Sequence, residues 1–233
     1  MAITIRLILL VVAVSGLLIA TVLVPWIRDK RIRENESSAV GALRFVAVSQ
    51  AQFQAAAIVD QDRDGVGEFG FFTELSGELG YRLQTGTSAG PVSPPFIWPG
   101  FGQSAASNQG VGSKNAYFFR MFLPRAEGQS AMAEPGTPPG GNPVHADAQE
   151  LRFIALAWPQ VVGQTGNRAF AVSQGGEVFH TVNLGVQNYS GTENMPDAGA
   201  ALVDPLGRKN LEGLFITDDP GTGDGCRWVP SGG

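Results

Sequence analysis

Residues Leu7–Ile27 read LILLVVAVSGLLIATVLVPWI, and the chain runs on from Ile27 to Val59 as IRDKRIRENESSAVGALRFVAVSQAQFQAAAIV with no turn cluster between. The first stretch holds no charged residue. At a rise of about 1.5 Å per residue it measures about 30 Å, the thickness of a bilayer's hydrocarbon core. Arg6 and Arg28 bracket it, and Trp26 sits where an interfacial aromatic belongs. It is longer than the apolar part of a signal peptide and no A-x-A site follows, so the expectation is a retained anchor. Pro25 lacks an N–H and its ring crowds the carbonyl of Thr21, which predicts a kink, because helix-forming sequence resumes at once. Beyond it Ala39, Leu43, Val46, Phe53 and Ala57 recur at helical spacing, with Gln50 as the polar exception and Arg44 and Gln52 off the stripe. One helix from about Thr4 to Ile58 is expected, apolar all round in its first half and one-faced in its second.

The rest of the composition bounds the partners. A net charge of −5 and an isoelectric point near 5.0 give no electrostatic reason to bind nucleic acid, and none is expected. The single cysteine, Cys226, excludes an internal disulfide and a thiolate metal cluster, so a core must hold the head together. Arg28, Lys30, Arg31 and Arg33 follow the apolar stretch against Arg6 before it, so charge leaves the orientation open. The expected location is the inner (cytoplasmic) membrane, single-pass, with the head periplasmic or extracellular. Three parts follow: an anchor over 1–28, its amphipathic continuation over 29–59, and a soluble head over 60–233.

In the head, Phe69–Gln84, opening FGFFTELSGELG, reads as a short helix or turn and Thr85–Lys114 as loop, with Phe96, Trp98 and Phe101 expected beneath a sheet. Strands are predicted at Ala116–Leu123 and Leu151–Trp158. Asn167–Val172 and Glu177–Val182 flank Ser173-Gln174-Gly175-Gly176, a hairpin signal. Glu127–Pro143 is a Gly/Pro-rich insertion, and Leu211–Thr217 is a candidate last strand. The fold class is α+β: a long N-terminal helix packed on a small antiparallel sheet.

The sharpest local motif is Asp60-Gln61-Asp62-Arg63-Asp64-Gly65-Val66-Gly67-Glu68. Carboxylates at alternate positions followed by glycine match the opening of an EF-hand loop, where hard Ca²⁺ collects oxygens from positions 1, 3 and 5. Asp60, Asp62 and Asp64 would supply them; position 12 is Phe71, so Glu68 or Glu74 would have to stand in for the bidentate glutamate, and spacing does not choose between them. Calcium would clip helix to head; the alternative is a solvated acidic turn. His145 and His180 stand apart from any ligand motif, Cys226 lies in a polar tail, and Trp98, Trp158 and Trp228 read as core or loop-pinning residues rather than a ligand platform. No G-x-S-x-G, H-E-x-x-H or phosphate loop occurs, and no catalytic set is expected.

Pro25, Asn35, Glu36, Ser38, Ala39, Gly41, Leu43 and Arg44 follow the pattern of the N-terminal helix of bacterial type IV pilins and type II secretion pseudopilins, which this segment resembles. Ala116–Pro124 (AYFFRMFLP), Ala157–Pro159 (AWP), Thr165–Phe170 (TGNRAF) and Gly175–Thr181 (GGEVFHT) are similar to the sheet region of some such pilins. The resemblance implies a pilin-like fold and a structural or accessory subunit of a type IV pilus or secretion apparatus. Its partners would be membrane lipid and other pilin-like subunits, with helices bundled through small residues such as Ser15, Gly16 and Ala20. Ile3 and Ile8 stand where that family carries its cleavage glycine and its glutamate. The alternative is a membrane-tethered, pilin-like binding module that does not polymerise.

Overall fold

The computed structural model describes residues 2–83, 89–126, 129–136, 146–183, 187–204, 211–213, 215 and 222–232. The N-terminal rod is helical in three pieces: α1 (Ala2–Leu18), a π-helical segment (Ile19–Leu23) and α2 (Val24–Ala55). Pro25 is the second residue of α2 and follows directly on the π-helical segment, so it stands inside a continuous helical run. Where the sequence predicts a kink at Pro25, the helix departs from α geometry in the π segment just ahead of it. This corrects the expectation of a single-pass protein of the inner membrane. The apolar stretch is divided among α1, the π turn and the start of α2, and among the described residues no helix is long and apolar enough to cross a membrane.

The one-faced half of the rod behaves as its spacing requires. Ile32, Glu36, Ala39, Leu43, Val46, Gln50 and Phe53 are the buried line of α2, joined by Ala42 and Ser49 at its edge. Gln50, the polar exception in the stripe, is satisfied: Nε2 donates to the Gly70 carbonyl at 2.6 Å and Oε1 accepts the Gly70 N–H at 2.9 Å. The helix stops at Ala55, and Ala57, expected on the stripe, is exposed at φ 44°.

Seven strands among the described residues form one antiparallel sheet: β1 (Val111–Lys114), β2 (Tyr117–Leu123), β3 (Met132–Ala133), β4 (Ile154–Pro159), β5 (Ala169–Ser173), β6 (Val178–Thr181) and β7 (Val229–Pro230). Their order is β1-β2-β4-β5-β6-β7, with β3 paired to the far end of β2. In register, Phe119 lies opposite Ala157 and Leu156 opposite Ala171. Tyr117, Phe119, Met121, Ala157 and Phe170 face α2 together with two short helices, α3 (Phe72–Leu75) and α4 (Pro99–Ser107). The opposite face, with Leu156, Trp158, Ala171 and Phe179, is covered by Tyr189, Ala200, Ala201, Leu202 and Trp228. Burial on both faces is why β4 is apolar at every position rather than alternating.

The architecture is thus α+β, a long N-terminal helix on an antiparallel sheet, as the sequence predicts. Four details differ. The stretch read as loop contains α4 and β1, and Leu151 ends a helix, α5 (Ala146–Leu151), instead of opening β4. Phe101 is buried and Phe96 half-buried as expected, but Trp98 is 41 % exposed, held between Phe45 and the Lys114 ammonium. The last predicted strand, Leu211–Thr217, lies partly outside the described residues, and its described part is not strand.

Candidate metal centre

The acidic loop leaves α2 and closes on itself. Glu68 N–H donates to the Val59 carbonyl at 2.9 Å, so the residues between form a tight excursion. Inside it each aspartate bonds backbone two to five residues ahead. Asp60 Oδ2 accepts the Gly65 N–H (3.2 Å), Asp62 Oδ1 the Asp64 N–H (3.3 Å) and Asp64 Oδ1 the Val66 N–H (2.8 Å). Gly65 takes φ 92°, a region open to glycine at little cost. One oxygen from each of Asp60, Asp62 and Asp64 comes within 4.8 Å of the others.

Glu68 does not join them. It is buried beneath the loop, where Oε1 accepts the Gln61 N–H (2.8 Å) and Oε2 the Gln61 side-chain amide (2.5 Å), with Arg82 Nη2 at 3.9 Å. Burial raises its carboxyl above the usual range and Arg82 works against that rise. Arg82 is itself enclosed: Nε donates to Glu74 (3.0 Å), Nη1 to Gln149 Oε1 (2.5 Å) and Nη2 to the Phe69 carbonyl (2.5 Å). Glu68 is thus a structural carboxylate of a buried cluster.

The groups that do face the loop come from α5, some 80 residues further on. Asp147 and Glu150 lie at i and i+3, one face of a helix, and with Asp62 they bring three carboxylate oxygens within 4.8 Å of one another. The helix is pinned there on three sides. The Phe69 N–H donates to the Gln149 carbonyl (2.9 Å), the Gln54 side chain donates to the Glu150 carbonyl, and Gln149 Nε2 donates to the Pro124 carbonyl (2.6 Å). Burial, then Asp64, Asp62, Asp147 and Glu68 in that order, push the Glu150 carboxyl up to about 7. Asp62 is raised in the same direction, chiefly by desolvation. The i, i+3 pair Asp147/Glu150 is visible in the sequence; its meeting with the loop is a product of the tertiary fold.

The remaining candidates are placed apart from this site. His145 lies outside the described residues. His180 is half-buried on β6 with Nδ1 3.1 Å from Ser231 Oγ, and burial lowers its pKa. Cys226 is half-buried and its thiol is pushed up by burial, away from the reactive thiolate form. Trp158 and Trp228 are core residues, their indole N–H groups donating to the Gly191 carbonyl and to Asp224.

A second feature is a surface. Among the described side chains of residues 2–31 none is buried, and Ile5, Leu10, Val11, Val12, Val14, Ile19, Leu23, Val24, Trp26 and Ile27 are all exposed. Soluble single chains rarely leave so continuous an apolar surface uncovered.

Residues 24–198, about three quarters of the chain, match the family described as "Protein of unknown function (DUF2950)", and the chain belongs to that family. The match opens at the first residue of α2 and takes in the acidic loop, α5 and β1–β6. No curated protein and no solved structure matches the chain.

Proposed function

We propose that this DUF2950 protein is a non-catalytic structural subunit that assembles with copies of itself through its N-terminal helix, in the manner of a pilin or pseudopilin. The observation that carries the reading is the bare apolar rod: α1, the π turn and the first turn of α2 present large apolar side chains to solvent, and burial on the helix starts only at Ile32. Each such side chain gains about 1.5–3 kcal/mol when fully covered. A set of them on one rod therefore favours packing against like rods, with the heads outermost. Gly16 supports close approach, since nothing lies within 4 Å of where its Cβ would be. The resemblance of Pro25, Asn35, Glu36, Ser38 and Arg44 to the pilin helix pattern points the same way, toward an envelope filament or a secretion apparatus.

Sedimentation velocity of the full chain tests this against Val11→Asp and Val14→Asp variants. The wild type should sediment as an oligomer and each variant as a monomer with an unchanged melting transition, because no described side chain of α1 is buried. A monomeric wild type would overturn the reading, as would a wild type recovered only on added phospholipid vesicles.

A second reading, a non-polymerising binding module, is favoured by one observation. A groove of about 590 Å³ lies between the end of α2 and the proline-rich loop, lined by Gln52, Ile58, Tyr81, Val92 and Phe96 among others. A monomeric wild type would bring this reading forward.

A further inference from the structure

We propose that the acidic loop and α5 together form one divalent-cation site of calcium type, with Asp60, Asp62 and Asp64 from the loop and Asp147 and Glu150 from α5 supplying its oxygens. The two carboxylate triads share Asp62, and within each the oxygens lie no more than 4.8 Å apart. Oxygens bound at about 2.3–2.6 Å to a common ion stand at most about 5 Å from each other, so each triad can meet around one Ca²⁺ with little movement.

Two observations beyond the clustering point to a ligand. Asp60 Oδ1 and Glu150 Oε1 are both shut off from solvent and neither has a hydrogen-bond partner. Glu150 keeps some solvent contact as a residue, yet within its triad it is the buried member. A buried carboxylate oxygen with no donor is costly, and natural structures pair it or give it a metal. No Lys or Arg among the described residues forms an ion pair with any of the five carboxylates. The loop's own hydrogen bonds occupy Asp60 Oδ2, Asp62 Oδ1 and Asp64 Oδ1, which fixes the three side chains without using their second oxygens on the backbone.

The arrangement also accounts for the loop's missing ligand. Its twelfth position is Phe71, fully buried under the sheet, and Glu68 is committed to Gln61 and Arg82. Glu150 provides from another element the carboxylate that an EF-hand carries within its own loop. An all-oxygen donor set without histidine or cysteine suits a hard cation, and irregular loop geometry suits Ca²⁺ over the strict octahedron of Mg²⁺. The site lies wholly in the head, so it stands or falls independently of assembly through α1.

Calorimetric titration of calcium chloride, and separately magnesium chloride, into chelator-treated full-length protein tests the proposal, with melting curves in parallel. Wild type should bind one equivalent of calcium and melt higher with it. Asp62→Asn, Glu150→Gln and Asp147→Asn should each weaken calcium by at least about tenfold. Without metal they should melt no lower than wild type, since each removes a like charge from the cluster. Asp147 is exposed, so its variant carries the test without risk to the core. Absence of both heat and melting shift for wild type at about 1 mM calcium, the weak end for such loops, would overturn the site. Wild-type affinity in both α5 variants would overturn its sharing between loop and helix.

Discussion

Glu36 on α2 and Arg168 at the head of β5 form a clasp across 132 residues of sequence: Arg168 Nε and Nη2 each lie 2.7 Å from Glu36 Oε2. The other oxygen, Oε1, accepts the N–H groups of Asn167 (2.8 Å) and Arg168 (3.2 Å). One nearly buried carboxylate thus satisfies four donors and ties the rod to the sheet. Its neighbour Asn35 adds a bond to the Thr165 carbonyl at 2.9 Å.

The clasp is asymmetric, and so are the expected losses. Glu36→Ala strands two backbone donors and the guanidinium together, and should cost about 2–4 kcal/mol. Arg168→Ala leaves the carboxylate its two backbone bonds and removes a partly exposed cation, and should cost about 1–2 kcal/mol. Urea unfolding of both singles and the double, with m unchanged, measures the difference. Equal losses would mean that the backbone bonds to Oε1 carry little.

Arg82 should be the least replaceable cation of the head. Arg82→Met leaves Glu74, fully buried, without its ion pair, and breaks the bonds to Gln149 and the Phe69 carbonyl that position α5. A loss of about 3–5 kcal/mol is expected in urea unfolding. Arg82→Met combined with Glu74→Gln should recover part of it.

At Gly67 the acidic loop passes close against the end of α2. A Cβ there would sit 2.0 Å from the Gln54 carbonyl oxygen and 2.8 Å from Ala57 Cα, backbone atoms that cannot swing aside. Gly67→Ala should destabilise the fold by about 2 kcal/mol or more, whereas Gly175→Ala, with open space around it, should stay within about 0.5 kcal/mol of wild type. Thermal melting of the pair distinguishes close approach from a general cost of replacing glycine.

Glu134 gives the head a pH dependence. It is fully buried, and although it accepts the N–H groups of Phe72 (3.1 Å) and Thr73 (2.8 Å), desolvation dominates and pushes its carboxyl from 4.5 up to about 8. Between those values the folded state holds a proton that the unfolded state has released, so stability must fall as pH rises. The loss develops above about pH 4.5 and levels off above about pH 8. Urea unfolding across that range should show wild type losing stability relative to Glu134→Gln; a constant difference between the two would contradict the shift.

Local sequence determines much of this fold. The α2 stripe is legible because Leu43, Val46 and Phe53 recur at helical spacing, and β2, β5 and β6 because aromatic and β-branched runs end in turn residues. What escaped were elements whose side chains are set by their neighbours. Helix α4 begins at Pro99 inside a Gly/Pro-rich run, and β1 (VGSK) becomes a strand because β2 offers it a partner. The C-terminal segment reads as polar, yet Tyr189, Leu202 and Trp228 close the second face of the sheet.

The candidate site was half legible for a similar reason. Asp60, Asp62 and Asp64 announce themselves by alternation. Glu68 carries the same chemistry at a plausible spacing, but burial beside Arg82 assigns it to the core. Asp147 and Glu150 belong to a six-residue helix whose location depends on Gln54, Phe69 and Pro124 holding it in place, a relation no local pattern encodes. The apolar stretch at the N-terminus was visible at once, while its division by a π turn ahead of Pro25 was not.

Assembly through the N-terminal helix is tested most directly by placing a solvent-sensitive fluorophore on Val14→Cys in the full chain with Cys226→Ser, and on Ser107→Cys as a control on the head. Both sites are exposed in the single chain. Emission from position 14 should shift to the blue as protein concentration rises, while emission from position 107 should not move. No shift at position 14 at any concentration, or a shift that requires added phospholipid vesicles, would contradict assembly through this helix.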